Sequence, residues 1–410
     1  MAAIWWNGII VLAAQIVQSC PLFLLLQDRR VIGAGRGRIT RHGSLFSFTQ
    51  QPGSNTQFGA YALIQPTASK LTLRGSRTSV EAAEAECLIR KIFVSLGYSP
   101  EVSAQVAHHL TDTSLCGVES HGVMRVLEYA NQTRSGYLDP KGTARAFRDS
   151  RGVMRVEGGG GIGIPAIQLA YETGIAEARE RGISALSIRH AGHTGRHGAF
   201  ADLAAEQGFL TICIGGGNRQ TWRQVAPYGG AQAKLPTNPW CAGIPGGAQG
   251  PVVLDFATSK IAGGWIYAAK SAGALLPEGC VIDRNGNPTR DPEDYFAGGA
   301  ILPAGAQKGY ALALVAELIG EAMLGPSTTE CNWLLITLEA TRFREAPTMQ
   351  AAAEEVLADL RSCPPAPGVE RVEIPGERER NHRAASEGRI AVPMETWRQI
   401  QKLAESLGAA

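Results

Sequence analysis

The 410-residue chain has room, at roughly 150 residues per domain, for two or three domains with a substantial core. Its 44% apolar and 19% charged side chains exclude a disordered or collagen-like chain, and its net charge of +2 excludes a global pull toward nucleic acid. Eight scattered cysteines without a Cys-x-x-Cys pair exclude a zinc ribbon or a disulfide framework and fit a reduced, cytoplasmic protein.

The N-terminal stretch differs from the rest. Residues 1–27 carry no charge and precede Arg29 and Arg30, and residues 1–80 hold eight basic side chains against the single acid Asp28. Residues 36–79 are rich in Ser, Thr, Gly and Gln without a sustained period. Residues 1–77 are therefore expected to form an extension outside the fold. Membrane contact is expected only if the apolar segment is a genuine anchor.

From Ser79 onward the pattern becomes regular. Apolar positions at near-3.6 spacing predict a helix over Glu81–Leu96, a second over Pro100–Leu115 and a third after Gly117. Val153–Val156 reads as a short strand leading through Gly158–Gly163 into a helix that ends near Arg181. Strands are predicted at Ile183–Ile188, Leu210–Ile214 and Val252–Leu254, with a helix over Ala199–Gln207. Asn285-Gly286 marks a hairpin turn. Helices return at Tyr310–Leu324, Ala351–Arg361 and Glu395–Leu407. The hairpin and the Gly/Pro-rich stretch 215–250 argue against a purely parallel sheet.

Gly158-x-Gly160-x-x-Gly163 satisfies the dinucleotide pattern, but the next strand ends in Arg189-His190 where that pattern needs a ribose-binding acid. The glycines read better as close packing. Stronger chemistry lies in Glu119-Ser120-His121-Gly122-Val123-Met124-Arg125, expected to open a helix that runs through Tyr129. On one helix face His121, Arg125, Glu128 and Tyr129 would align. An imidazole gives or takes a proton near neutral pH, and a guanidinium one turn away offers a planar fork to a carboxylate. Ser120 is placed to orient the imidazole. His190-Ala-Gly-His193-Thr194-Gly195-Arg196-His197 follows a strand and precedes a helix, a setting for phosphate at free N–H groups. Its histidines have helical metal-ligand spacing, but no carboxylate or thiolate accompanies them and glycines interrupt the turn, so no metal is expected.

Taken together, these segments resemble the malate/L-lactate dehydrogenase family of NAD(P)H-dependent 2-oxo acid reductases, and look closest to its hydroxycarboxylate dehydrogenase-like branch. The resemblance rests on Gly117–Arg125, Gly192–Gly195, Thr237-Asn238-Pro239, Asp255–Ser259, Asp283–Thr289, Leu302-Pro303 with Lys308-Gly309-Tyr310, and Pro375-Gly376-Glu377. It implies an α/β, non-Rossmann fold: a mixed, largely antiparallel cofactor sheet over 149–299, and a mostly helical substrate and dimerisation part from 78–148 and 300–410. It implies hydride transfer between NAD or NADP and a small 2-oxo or 2-hydroxy acid in a homodimer. His121 would donate the proton with Ser120 as relay partner, and Arg125 and Thr237 would bind substrate. His193, Thr194, Gly195, Arg196, His197, Asp255, Phe256, Ala257, Gln307, Lys308, Gly376 and Glu377 would line the cofactor. Two departures are Trp265, where many relatives carry lysine, and Pro236, where glycine is usual. Trp265 and the apolar N-terminus motivate an alternative, a catalytically weakened nicotinamide-binding protein, tethered to a membrane if the N-terminal stretch is an anchor.

Overall fold

The computed structural model describes residues 76–271 and 273–409. Residues 1–75 lie outside it, and with them all but the last two residues of the expected N-terminal extension. Among the described residues no helix is long and apolar enough to cross a membrane.

β1 (Arg77–Glu81) runs into α1 (Ala82–Ser95), and α2 (Pro100–Leu115) follows. The Ser99 side chain accepts the Val102 N–H at 3.2 Å and Pro100 fills the first turn, so α2 starts where the sequence predicts. After α3 (Arg125–Arg134) come β2 (Arg145–Arg148), β3 (Met154–Glu157), α4 (Ile164–Arg181), β4 (Ile183–Arg189), α5 (Gly198–Glu206) and β5 (Phe209–Gly216). Gly182, at φ +84°, ends α4 in the left-handed conformation that favours glycine. The hairpin of β6 (Trp240–Gly247) and β7 (Gly250–Phe256) precedes α6 (Gly263–Ser271). β8 (Val281–Ile282), β9 (Pro288–Thr289), α7 (Pro292–Phe296) and β10 (Ala300–Ile301) form a small unit around the expected Asn285-Gly286 turn. α8 (Gln307–Glu317), one π-helical turn (Leu318–Met323), β11 (Asn332–Glu339), α9 (Ala346–Ser362), α10 (Glu377–Ala385), β12 (Arg389–Pro393) and α11 (Met394–Ser406) complete the chain.

Seven strands form one sheet in the order β2-β3-β4-β11-β5-β6-β7, in which only the β3–β4 pair is parallel. The expected mixed, largely antiparallel α/β sheet is therefore present. Its central strand is a departure: β11 comes from the 300–410 stretch expected to be helical. Strand Asn332–Glu339 lies between two strands, and its side chains are half-buried or buried along its length. Such a strand lacks the apolar/polar alternation that marks a one-sided one. β2, from the 78–148 stretch, also joins this sheet. At the other end, β1 pairs with β12, which brings both ends of the described chain together beside α1, α2 and α11. Ile89, Ile92, Phe93, Leu110, Tyr129, Ile167, Leu186 and Ile400 are among the side chains of one continuous core.

Candidate active site

The Glu119–Arg125 segment is not one helix. A single 3-10 turn, Glu119–His121, stops at Gly122, whose backbone is extended, and α3 starts afresh at Arg125. Gly122 seats directly on Ser114, where a Cβ would overlap the Ser114 Oγ, and that Oγ accepts the Val123 N–H at 3.0 Å. This contact with α2 outweighs the local helix tendency. His121 and Arg125 are brought together by the kink rather than by helical spacing. The Arg125 Nε–H donates to the Ser120 carbonyl oxygen at 2.6 Å, and Ser120 Oγ lies 2.9 Å from His121 Nδ1. Arg125 Nη1 also pairs with Glu128.

The His193 loop meets this kink. The rings of His121 and His193 lie 5.2 Å apart, and Tyr129 Oη is 2.6 Å from His193 Nδ1. Because His193 Nδ1 also accepts the Gly195 N–H at 3.2 Å, the ring proton is assigned to Nε2, which is left for a ligand. Burial pushes the His121 imidazole down to about 3, with the positive charge of Arg125 adding to it, and pushes His193 well below the usual range for the same reasons. Both rings are neutral at pH 7. Burial opposes the Arg125 cation, but Glu128, Tyr129 and Glu330 outweigh it and raise its pKa. Glu330, absent from every sequence motif, therefore belongs to the same electrostatic neighbourhood.

The segments expected to line the cofactor gather at the end of β7. Asp255 Oδ2 accepts the Gly198 N–H at 2.7 Å, which ties β7 to the start of α5 and hence to the His193–His197 loop. The Thr258 N–H and hydroxyl both donate to the Thr237 carbonyl oxygen, at 2.9 and 2.8 Å. The Ala304 N–H donates to the Thr258 carbonyl oxygen at 2.9 Å, which brings in the turn before Gln307 and the exposed Lys308. The Val253 N–H donates to the Pro375 carbonyl oxygen at 3.0 Å, which sets the Gly376 turn against the same strand. A Cβ on Gly264 would lie 3.7 Å from Arg125 Nη2 and 3.9 Å from the Ser120 Cβ, so the start of α6 abuts the His121–Arg125 kink. Trp265, half-buried, follows in α6, and Pro236 is buried before Thr237.

Several of the gathered side chains are already engaged within the chain. Arg196, 6% exposed, directs Nη2 to Asp112 and to Cys116 Sγ, both at 3.5 Å, while its backbone N–H donates to His109 Nε2 at 2.9 Å. His197 Nε2 lies 2.7 Å from the Thr194 hydroxyl, and the ring stacks on Trp333 at 4.0 Å. Glu377 is gripped by Arg361 at 2.7 and 2.9 Å and accepts the Ile374 N–H. Asn238, buried with φ +37°, donates to the Ala313 carbonyl oxygen and to Glu317. The three spaced histidines turn to different partners: His190 to Glu157, His193 to Tyr129 and His197 to Thr194. Among the described residues no three His, Cys, Asp or Glu side chains are placed to hold a metal. The cysteines described are all free.

This arrangement leaves two groups for a nicotinamide cofactor. Lys308 offers an exposed cation for phosphate, and His197 Nδ1 is buried with no hydrogen-bond partner among the described residues. A family model described as malate/L-lactate dehydrogenase matches residues 80–401. The chain is similar to the L-lactate dehydrogenase of Cupriavidus necator, with 32% identity across 81% of this chain and 98% of that protein. It is equally similar, at 32% identity over 80% of this chain and 97% of the relative, to a Δ1-pyrroline-2-carboxylate/Δ1-piperideine-2-carboxylate reductase of Pseudomonas putida. Among solved structures, the Δ1-piperideine-2-carboxylate reductase of Pseudomonas syringae superposes with a TM-score of 0.70 at 30% identity, over 80% of this chain and all of that one.

Proposed function

Because the chain belongs to the malate/L-lactate dehydrogenase family, we propose that it transfers a hydride between NADH or NADPH and a small 2-oxo or 2-hydroxy acid, at the kink where His121, Arg125 and His193 converge. That convergence carries the reading: a neutral imidazole beside a fixed guanidinium, walled by a second imidazole.

Arg125 orients the substrate by its carboxylate, with Nη2 as the guanidinium nitrogen that no hydrogen bond among the described residues engages. Burial is the main reason His121 is unprotonated and the Arg125 charge adds to it; a bound substrate carboxylate offsets the Arg125 share, which raises the His121 pKa. Ser120 occupies His121 Nδ1, which leaves Nε2 for the transfer: once substrate is bound the ring takes up a proton, the imidazolium hands it to the substrate carbonyl oxygen and returns to the neutral imidazole, and in the reverse direction the neutral ring takes it back. A nicotinamide held there would supply or accept the hydride. The proton offsets the charge that develops on that oxygen, which is where transition-state stabilisation is needed. Thr237 would add a substrate contact, and His193–His197, Asp255–Ala257, Gln307-Lys308 and Gly376-Glu377 would border the cofactor, the buried members acting through the backbone they hold. A homodimer and a cytoplasmic location complete the reading. Exposed Leu314, Val315 and Leu318 form an apolar stripe that a second copy would cover.

The test is an NADH and NADPH oxidation screen of the full chain against pyruvate, oxaloacetate, phenylpyruvate, sulfopyruvate and Δ1-piperideine-2-carboxylate. Steady turnover with one of them is expected. Tight cofactor binding with no turnover of any would favour the weakened nicotinamide-binding alternative that Trp265 motivates.

A further inference from the structure

Glu330 lies two residues before β11 and in none of the motifs that define the site. Trp333 pairs with Ile188 across the antiparallel β11–β4 ladder, so the residues just before Trp333 run alongside the exit of β4, where the His193 loop begins. One carboxylate oxygen of Glu330, Oε1, is buried with no hydrogen-bond partner among the described residues. The same holds for Oε1 of Gln132, whose amide reaches Glu128 at 3.4 Å. Arg125 already shares its charge with Glu128 before any ligand arrives. With His121 and His193 neutral, one cation faces two carboxyl groups. A first ligand carboxylate finds the Arg125 guanidinium, while a second anionic group meets one more acid.

We propose that Glu330 determines the charge of the substrate: unpaired beside Arg125, its carboxylate admits 2-oxo acids with a single negative charge and rejects those carrying a second carboxylate or a sulfonate. The proposal rests on the reading of Arg125 as the substrate-carboxylate ligand. Burial pushes the Glu330 carboxyl up to about 7, with Arg125 pulling it down and Glu128 pushing it up. The other titratable groups that feel it are Tyr129, Tyr137 and Cys331, all uncharged at neutral pH. Glu330 thus gains its charge through the neutral range, and rejection of dianions strengthens as pH rises.

The experiment compares 2-oxobutyrate with oxaloacetate, near-equal in size but ending in methyl and carboxylate, using the full chain and its Glu330→Gln variant. In the unmodified chain kcat/KM should favour 2-oxobutyrate, increasingly so from pH 6 to pH 8. Glu330→Gln should raise the oxaloacetate to 2-oxobutyrate ratio about tenfold at pH 8, through the KM of oxaloacetate, and flatten the pH trend. An unchanged ratio, or a parallel loss for both acids, overturns the proposal. Oxamate and oxalate, isosteric and different by one charge, give a second readout on the unmodified chain that needs no turnover. Oxamate should raise its Tm at pH 8 and oxalate should not; equal protection, or none, overturns the assignment. Failure to oxidise NADH or NADPH with any 2-oxo acid would instead refute the hydride-transfer reading, and the oxamate–oxalate comparison would still decide the role of Glu330.

Discussion

His121 and Arg125 sit within a few ångströms of each other yet are expected to fail differently when removed. His121→Ala deletes the proton donor and should lower kcat by about 10²–10⁴-fold while the cofactor Kd, read by fluorescence titration, stays near its original value. Arg125→Ala deletes the carboxylate anchor and should raise KM and depress kcat/KM, with the larger effect on substrates that have no other handle. Tyr129→Phe removes one hydrogen bond to His193 Nδ1 but leaves the Gly195 N–H donating to it, so a loss of about 1 kcal/mol in transition-state binding is expected. Ser120, His121 and Arg125 were legible because each residue type states its chemistry and the three fall within six positions. Glu330 was not. It is a single acid between Thr329 and Cys331, and only the pairing of β11 with β4 carries it to the site.

At the level of elements, the His193 loop is held by packing against α2. His109 accepts the Arg196 N–H and stacks on Phe200 at 5.0 Å, and Gly195 lies so close that a Cβ would overlap the imidazole. Gly195→Ala should therefore cost about 1–2 kcal/mol from the left-handed backbone alone and more from the collision, seen as a lower Tm together with lost activity. On the opposite flank the Gly376 turn is clamped by the Arg361–Glu377 pair. Glu377 is 8% exposed, so Glu377→Gln, which removes the buried carboxylate and leaves Arg361 only the longer contact to Glu354 at 3.4 Å, should lower stability by about 1–3 kcal/mol in denaturant titration. The sequence announced elements that carry end signals, such as α2 with Ser99 and Pro100 and α4 with Gly182. It misled where one tertiary contact decided the backbone: Gly122 seated on Ser114 ends a helix that the flanking residues favour.

For the whole molecule the buried histidines set the acid limit. Burial pushes His109 and His197 down to about 3, with the nearby Arg196 and the other histidines adding to the effect on His109. A lowered folded-state pKa means that the unfolded chain takes up protons first, near its ordinary value of about 6.5. Stability is therefore full above that pH and is lost progressively as pH falls toward 3. At pH 5 each of these two enclosed rings should cost about 2 kcal/mol. A Tm profile that declines below pH 6.5, and declines less steeply in His197→Asn, would carry that signature.

The placement of β11 reaches into the birth of the protein. While a ribosome is still short of codon 339, the flanks of β4 and β5 that this strand will cover stand open, and the two halves of the sheet have nothing to join them. Bare strand flanks invite sticking to neighbouring polypeptides. Nascent chains stalled before that point should be cut rapidly by protease and should recruit holdase chaperones, whereas chains released at full length should resist both.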